Sequence, residues 1–157
     1  MSIWRPSTTA ILITGVLAII VAVTISFVVT NFKPTTSVKL GGGVFSLWIA
    51  KTEAARVTGL SGVEELKPNG GLLMAFASDD TWEIWMKDMK IPLDLLWLND
   101  KKEITYIVKN VSPDLSTSKT FKPTSKARYV IELPAGSVQK SNINVGQKVD
   151  FEVEDIK

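Results

Sequence analysis

The chain of 157 residues contains no cysteine and no histidine. Those two absences exclude disulfides, a cysteine nucleophile, a histidine general base, and zinc sites built from thiolate or imidazole. Any metal would have to be held by oxygen atoms, as Ca²⁺ and Mg²⁺ are. No Gly-x-Gly-x-x-Gly run, Walker loop or EF-hand pattern occurs either, so nothing implies a cofactor. Charge of one sign is also lacking: 18 basic side chains stand against 16 acidic ones, a net +2. A balance so near neutrality gives no footing for nucleic-acid binding. Internal repeats are absent as well.

Charge is missing altogether from residues 10–29, which read AILITGVLAIIVAVTISFVV. As a helix that run would be about 30 Å long at ~1.5 Å per residue, matching the hydrocarbon thickness of a bilayer. A core helix of a globular domain would show a polar stripe, and this run has none. Thr14, Thr24 and Ser26 can return their hydroxyls to backbone carbonyls. A cleaved signal peptide needs a shorter apolar region, ~7–15 residues, and a small-x-small exit. Here the exit is Phe27-Val28-Val29-Thr30-Asn31-Phe32, so an uncleaved signal anchor is expected, with Trp4 and Phe32 at its two ends. Arg5 on the short side nearly balances Lys33 and Lys39 on the long side. The short tail with a single Arg favours an inside N-terminus and a single-pass protein with its domain on the extracytoplasmic side. The expected organisation is a tail and transmembrane anchor at residues 1–30, a flexible tether rich in Pro, Thr and Gly at residues 31–43, and a β-rich globular domain at residues 44–157.

Within that domain, residues 44–50 (VFSLWIA) read as a strand rich in β-branched and aromatic side chains. Thr52 is an N-cap candidate for a short helix from Glu53 to Val57, which Gly59 would end. Residues 72–76 form a buried strand. From Trp82 to Lys87 the chain alternates, with Trp82, Ile84 and Met86 on one face and Glu83, Trp85 and Lys87 on the other. Residues 93–98 are apolar on both faces apart from Asp94 and so form a central strand. Residues 99–102 make a hairpin turn into a partner strand over 103–111. Residues 112–126 are rich in Ser, Thr, Lys and Pro and read as a long exposed loop. Two further alternating stretches, at 127–133 and 148–153, complete about seven short strands. The fold class expected is mainly β: a small antiparallel barrel-like domain with one or two short helices.

Four segments carry a family resemblance. Trp85-Met86-Lys87-Asp88-Met89-Lys90-Ile91-Pro92-Leu93-Asp94 resembles the W-M-K-N-T-x-I-P-L-D signature of the family known as domain of unknown function 192. Thr58-Gly59-Leu60-Ser61, then Leu66 and Gly71-Leu72-Leu73, are similar to its R-G-L-M and G-M-L-F segments. Tyr129-Val130-Ile131-Glu132-Leu133-Pro134-Ala135-Gly136 is similar to its Y-V-L-E-L-P-A-G segment. Ile143-Asn144-Val145-Gly146-Gln147 resembles its closing G-I-K-x-G-D. Thr58 stands in place of the Arg, Ser61 in place of the Met, and Asp88-Met89 in place of the Asn-Thr. The resemblance spans residues 44–153 and implies a small β-rich domain, often exported or anchored, with no assigned activity.

Asp94 is the sharpest single residue, because a carboxylate between Leu93 and Leu95 is costly to bury unpaired. It is either a site residue or a structural cap on backbone N–H groups. Asp94, Glu132 and Asp88 are the carboxylates that could converge for acid/base catalysis, as pairs of carboxylates do in glycoside hydrolysis. Trp85, on a polar face, is the candidate stacking platform for a sugar or another planar or apolar ligand. Trp82, sharing its face with Ile84 and Met86, reads as core. The candidate ligand-binding set is Trp85, Lys87, Asp94 and Glu132, with no metal site. The function expected is that of a membrane-anchored binding or accessory module of the cell envelope. Its partners would be the lipid bilayer through residues 10–29 and a small ligand or another envelope protein. The alternatives are a carboxylate-based hydrolase at the membrane surface and a structural partner of envelope proteins.

Overall fold

The computed structural model describes residues 8–31, 34–115 and 119–153. They fall into two units, one ending at residue 33 and the other beginning at Pro34. The first unit is the helix α1, Thr8–Asn31. Its 24 residues span about 36 Å at ~1.5 Å each. Side chains along it are described from residue 13 to 24, where seven large apolar ones, from Ile13 to Val23, are each more than half exposed. Thr24 returns its hydroxyl to the Val21 carbonyl at 2.9 Å, as expected for a hydroxyl without a polar neighbour. Among the described residues no helix is long and apolar enough to cross a membrane. The expected end markers Trp4, Arg5, Phe32 and Lys33 lie outside the described residues.

The second unit comprises, in chain order, β1 (Thr35–Leu40), β2 (Gly43–Ala50), α2 (Glu53–Thr58), β3 (Gly70–Asp80), β4 (Ile84–Trp85), β5 (Leu93–Leu98), β6 (Ile104–Val111), a 3-10 turn (Pro113–Leu115), β7 (Thr120–Phe121), β8 (Ala127–Pro134) and α3 (Ser137–Lys140). Six strands make one sheet in the order β1-β2-β3-β8-β5-β6, while β4 and β7 form a separate two-stranded ribbon. The domain is mainly β with few, short helices, as its sequence implies.

The sheet is mixed, where an antiparallel one was expected. β2 and β3 run parallel, Trp48 opposite Leu72, and the other pairs are antiparallel. A parallel return needs a crossover, and α2 lies in that connection. Nor is there a closed barrel among the described residues: the sheet is open, with β1 and β6 at its edges. The reason lies in β5, whose six residues are all buried. Leu93, Leu95 and Trp97 enter one apolar cluster with Leu72, Met74 and Phe76, while Leu96 and Leu98 enter a second with Leu73, Ile131 and Leu133. A sheet apolar on both faces needs a covering layer on each.

Three other expectations change. Residues 35–40, placed in a tether, are β1, because Val38 and Leu40 are buried and the strand pairs with β2 from Thr35↔Trp48 to Leu40↔Gly43. Residues 112–126 are not wholly an exposed loop: Phe121 is buried in the first cluster, and β7 pairs with β4 through Ile84↔Phe121. Residues 148–153 form no strand. Val149 and Phe151 are buried as their alternation implies, but among the described residues the backbone pairs with other strands only through the isolated bridges Glu103↔Lys148 and Lys39↔Asp150.

Candidate cleft at Glu132

Local signals build the walls of the cleft. Thr52 caps α2, its side chain accepting from the Ala55 N–H at 3.1 Å. Gly59 ends that helix at φ +51, its N–H donating to the Ala55 carbonyl at 2.9 Å. The turn that follows is tied to the segment after β4. Ser61 donates its hydroxyl to the Lys87 carbonyl at 3.0 Å, and the Gly62 N–H donates to the Asp88 carbonyl at 2.8 Å. Asp88 itself sits at φ +56, a conformation that Asn and Asp tolerate better than most residues. Gly71 permits the close approach of β3 to β8, since a side chain there would meet the Glu132 carbonyl oxygen at 2.3 Å.

Between these walls lies a cleft of about 420 Å³, within the range of small-ligand sites. α2 contributes Glu53, Arg56 and Val57; β3 contributes Met74 and Phe76; the chain through β4 contributes Trp82, Glu83, Trp85 and Lys87. Its floor includes Glu132. In the sheet register Glu132 lies between Leu72 of β3 and Leu95 of β5. It is only 4% exposed. Among the described residues its carboxyl has no ion-pair partner and no hydrogen bond, and burial raises its pKa from 4.5 to about 8. At neutral pH it is therefore an uncharged acid, able both to donate and to accept.

Trp82 also lines the cleft. The Trp82 indole stacks on Phe76 at 4.1 Å and 11°, and its Nε1 is buried with no hydrogen-bond acceptor among the described residues. Its backbone carbonyl is occupied by the Trp97 indole at 2.8 Å, which fixes the segment against the sheet. Arg56 lies over the other aromatic partner, 4.8 Å from the Phe76 ring centre, and Nη1 donates to the carbonyls of Ala75, at 3.0 Å, and Lys51. Glu83, at the rim, pairs with Lys122 at 3.0 Å, which lowers its pKa.

The structure brings Glu132, Trp85 and Lys87 together on the cleft, with Trp85 47% exposed. Asp94 and Asp88 are not among its lining residues. Asp94 is fully buried, and its carboxylate accepts from the Asn110 N–H at 2.8 Å and the Val138 N–H at 2.9 Å. It joins β6 to the first turn of α3, a cap in the sense of the structural reading. Arg56, Phe76 and Trp82 were not singled out as site residues from sequence; for Trp82 the signal pointed to core, and the ring is indeed packed while its N–H is not paired. Among the described residues no group of three or more acidic side chains is placed to hold a metal.

Fold and cleft together define a class: a mixed-sheet domain covered on both faces, with an acid-floored pocket under a short crossover helix. The chain belongs to the family DUF192 (Uncharacterized ACR), which it matches over residues 36–151. A solved structure from Sinorhizobium meliloti 1021, of a protein named as a candidate transcription regulator, is similar at a TM-score of 0.72 and 23% identity, covering 76% of this chain and 95% of that one. One from Novosphingobium aromaticivorans DSM 12444, of unknown function, is similar at 0.68 and 24%, covering 75% and 84%. These likenesses show the shared fold. Among curated proteins nothing matches the chain.

Proposed function

We propose that this protein is a membrane-anchored binding module of the cell envelope, whose cleft takes a small ligand held on Glu132. One observation carries the reading: a carboxyl 4% exposed and unpaired at the floor of an open cleft. Burying such a group without a partner costs about 1–3 kcal/mol, and a ligand that bonds to it recovers that cost. Pockets that are mostly apolar with a few converging polar groups are the usual form of small-molecule sites. A hydrolase working through Glu132 with Asp88 or Asp94 has less support, because neither aspartate lines the cleft.

The anchor rests on the uncharged run at residues 10–29. The domain is proposed to work on the extracytoplasmic side. Two measurements test the whole reading. The full chain should stay with membranes through carbonate extraction; release into the supernatant would remove the anchor. In the full chain held in a sugar-free detergent, the Trp82 indole N–H resonance should move on addition of at least one member of a panel of small neutral, cationic and apolar compounds. A resonance indifferent to all of them would remove the binding module.

A further inference from the structure

The unpartnered Glu132 carboxyl and the walls around it say what kind of ligand would satisfy the cleft, given the reading above of the cleft as a binding site. The Glu132 carboxyl, in its neutral form, supplies one donor and one acceptor. The complement is a ligand with hydroxyl groups, which can both donate to and accept from that carboxyl. The walls ask for something else as well. Met74, Met89 and Ile84 are apolar, and Trp85 offers an exposed ring at the rim, while Phe76 is already covered by Trp82 and Arg56. A sugar ring meets both demands, with polar edges and an apolar C–H face that packs on an aromatic ring.

The charged groups around the cleft argue against a charged ligand. Glu53 and Arg56 come from α2, Glu83 from the approach to β4, and Lys87 from the segment beyond it; Glu83 is further neutralised by Lys122. The signs alternate and no single-sign field is focused inward. A cation would need the floor ionised, against the burial that keeps it neutral. An anion would find Lys87 and Arg56 offset by Glu53 and Glu83, and Arg56 already committed to the Ala75 and Lys51 carbonyls.

We infer that the cleft binds an uncharged saccharide, whose hydroxyl groups hydrogen-bond to the Glu132 carboxyl at its floor while its apolar face packs on the exposed ring of Trp85.

The test uses the full chain in a sugar-free detergent with three probes: cellotriose or triacetylchitotriose, benzyltrimethylammonium, and cyclohexanol. The readouts are the Trp82 indole N–H resonance, assigned with Trp82→Phe, and the dissociation constant against pH. The expected result is that a trisaccharide shifts the Trp82 signal, and that its binding weakens about tenfold per pH unit above ~8, where the carboxyl of pKa about 8 loses its proton. In Glu132→Gln the affinity should no longer vary between pH 7 and 9, because the amide cannot ionise. Glu132→Leu should lose the trisaccharide while remaining folded. Binding of benzyltrimethylammonium that strengthens with pH, or of cyclohexanol alone, would overturn the saccharide and leave the binding site standing. Failure of all three probes would overturn both.

Discussion

Between Leu72 and Leu95 the Glu132 carboxyl meets no hydrogen-bond partner among the described residues, and burial raises its pKa from 4.5 to about 8. The native state then binds a proton that the unfolded chain gives up near pH 4.5. The stability linked to that proton is fully present below about pH 4.5 and is lost as pH rises through about 8, at ~1.4 kcal/mol per unit across the window. Urea unfolding at pH 5 and pH 8 should show the fall, and Glu132→Gln should flatten it. Glu132→Leu should raise the thermal midpoint, more at pH 8 than at pH 5, since leucine matches its neighbours on that face; sites of function often carry such a trade-off. Asp94 is the contrast. Its carboxylate is as deeply buried but accepts two backbone N–H groups. Asp94→Asn keeps the shape and removes the charge-assisted bonds, so unfolding should cost ~1–3 kcal/mol less. Binding at the cleft should change only as far as folding does.

At the scale of elements, α2 matters beyond its six residues, because it carries Glu53 and Arg56 to the cleft. So short a helix is not stable by propensity, and its cap and its crossover position hold it. Thr52→Ala should cost about 1 kcal/mol by removing the acceptor for the Ala55 N–H. Faster amide exchange at Ala55 than elsewhere in the domain would locate the loss; unchanged exchange would show that the cap contributes nothing there. The ribbon of β4 and β7 has the same character. Two residue pairs make it, Ile84↔Phe121 and Trp85↔Thr120, yet it buries Ile84 and Phe121 and presents Trp85 at the rim.

For the whole molecule, the second apolar cluster is closed by the chain's last described segment. Phe151 is 2% exposed, meets Tyr129 edge-on at 5.1 Å, and lies 4.7 Å from the Lys102 ammonium. Among the described residues no ladder holds that segment beyond single bridges; the Phe151 carbonyl accepts from the Lys102 ammonium at 2.5 Å and the Glu152 carbonyl from the Thr36 hydroxyl at 3.0 Å, and burial of Phe151 adds to these. Phe151→Ala should cost ~3–5 kcal/mol in chemical denaturation. A loss below 1 kcal/mol would mean that the segment is not needed to close the core. The two faces of the sheet are packed by different parts of the chain, so the Phe151 and Glu132 substitutions should add within ~0.5 kcal/mol.

Some of this was decided by sequence alone. The Thr52 cap and the Gly59 stop bound α2 as observed, because capping depends on atoms three or four residues away. Continuous apolar character marked β5 as central, and the polar run at 99–102 marked the turn into β6, since both are properties of neighbouring positions. Family membership was readable too, from short runs of adjacent residues. What tertiary structure decided involves residues far apart. The parallel pairing of β2 with β3 follows from the path of the crossover, which period-two alternation does not record. Asp94 and Glu132 look alike on the page, each a carboxylate in an apolar strand. They differ because the partners of Asp94 lie 16 and 44 residues onward, at Asn110 and Val138, while Glu132 faces a cleft drawn from α2, β3 and the chain through β4. A buried carboxyl group is made structural or available by what packs against it, and that is set only when distant segments meet.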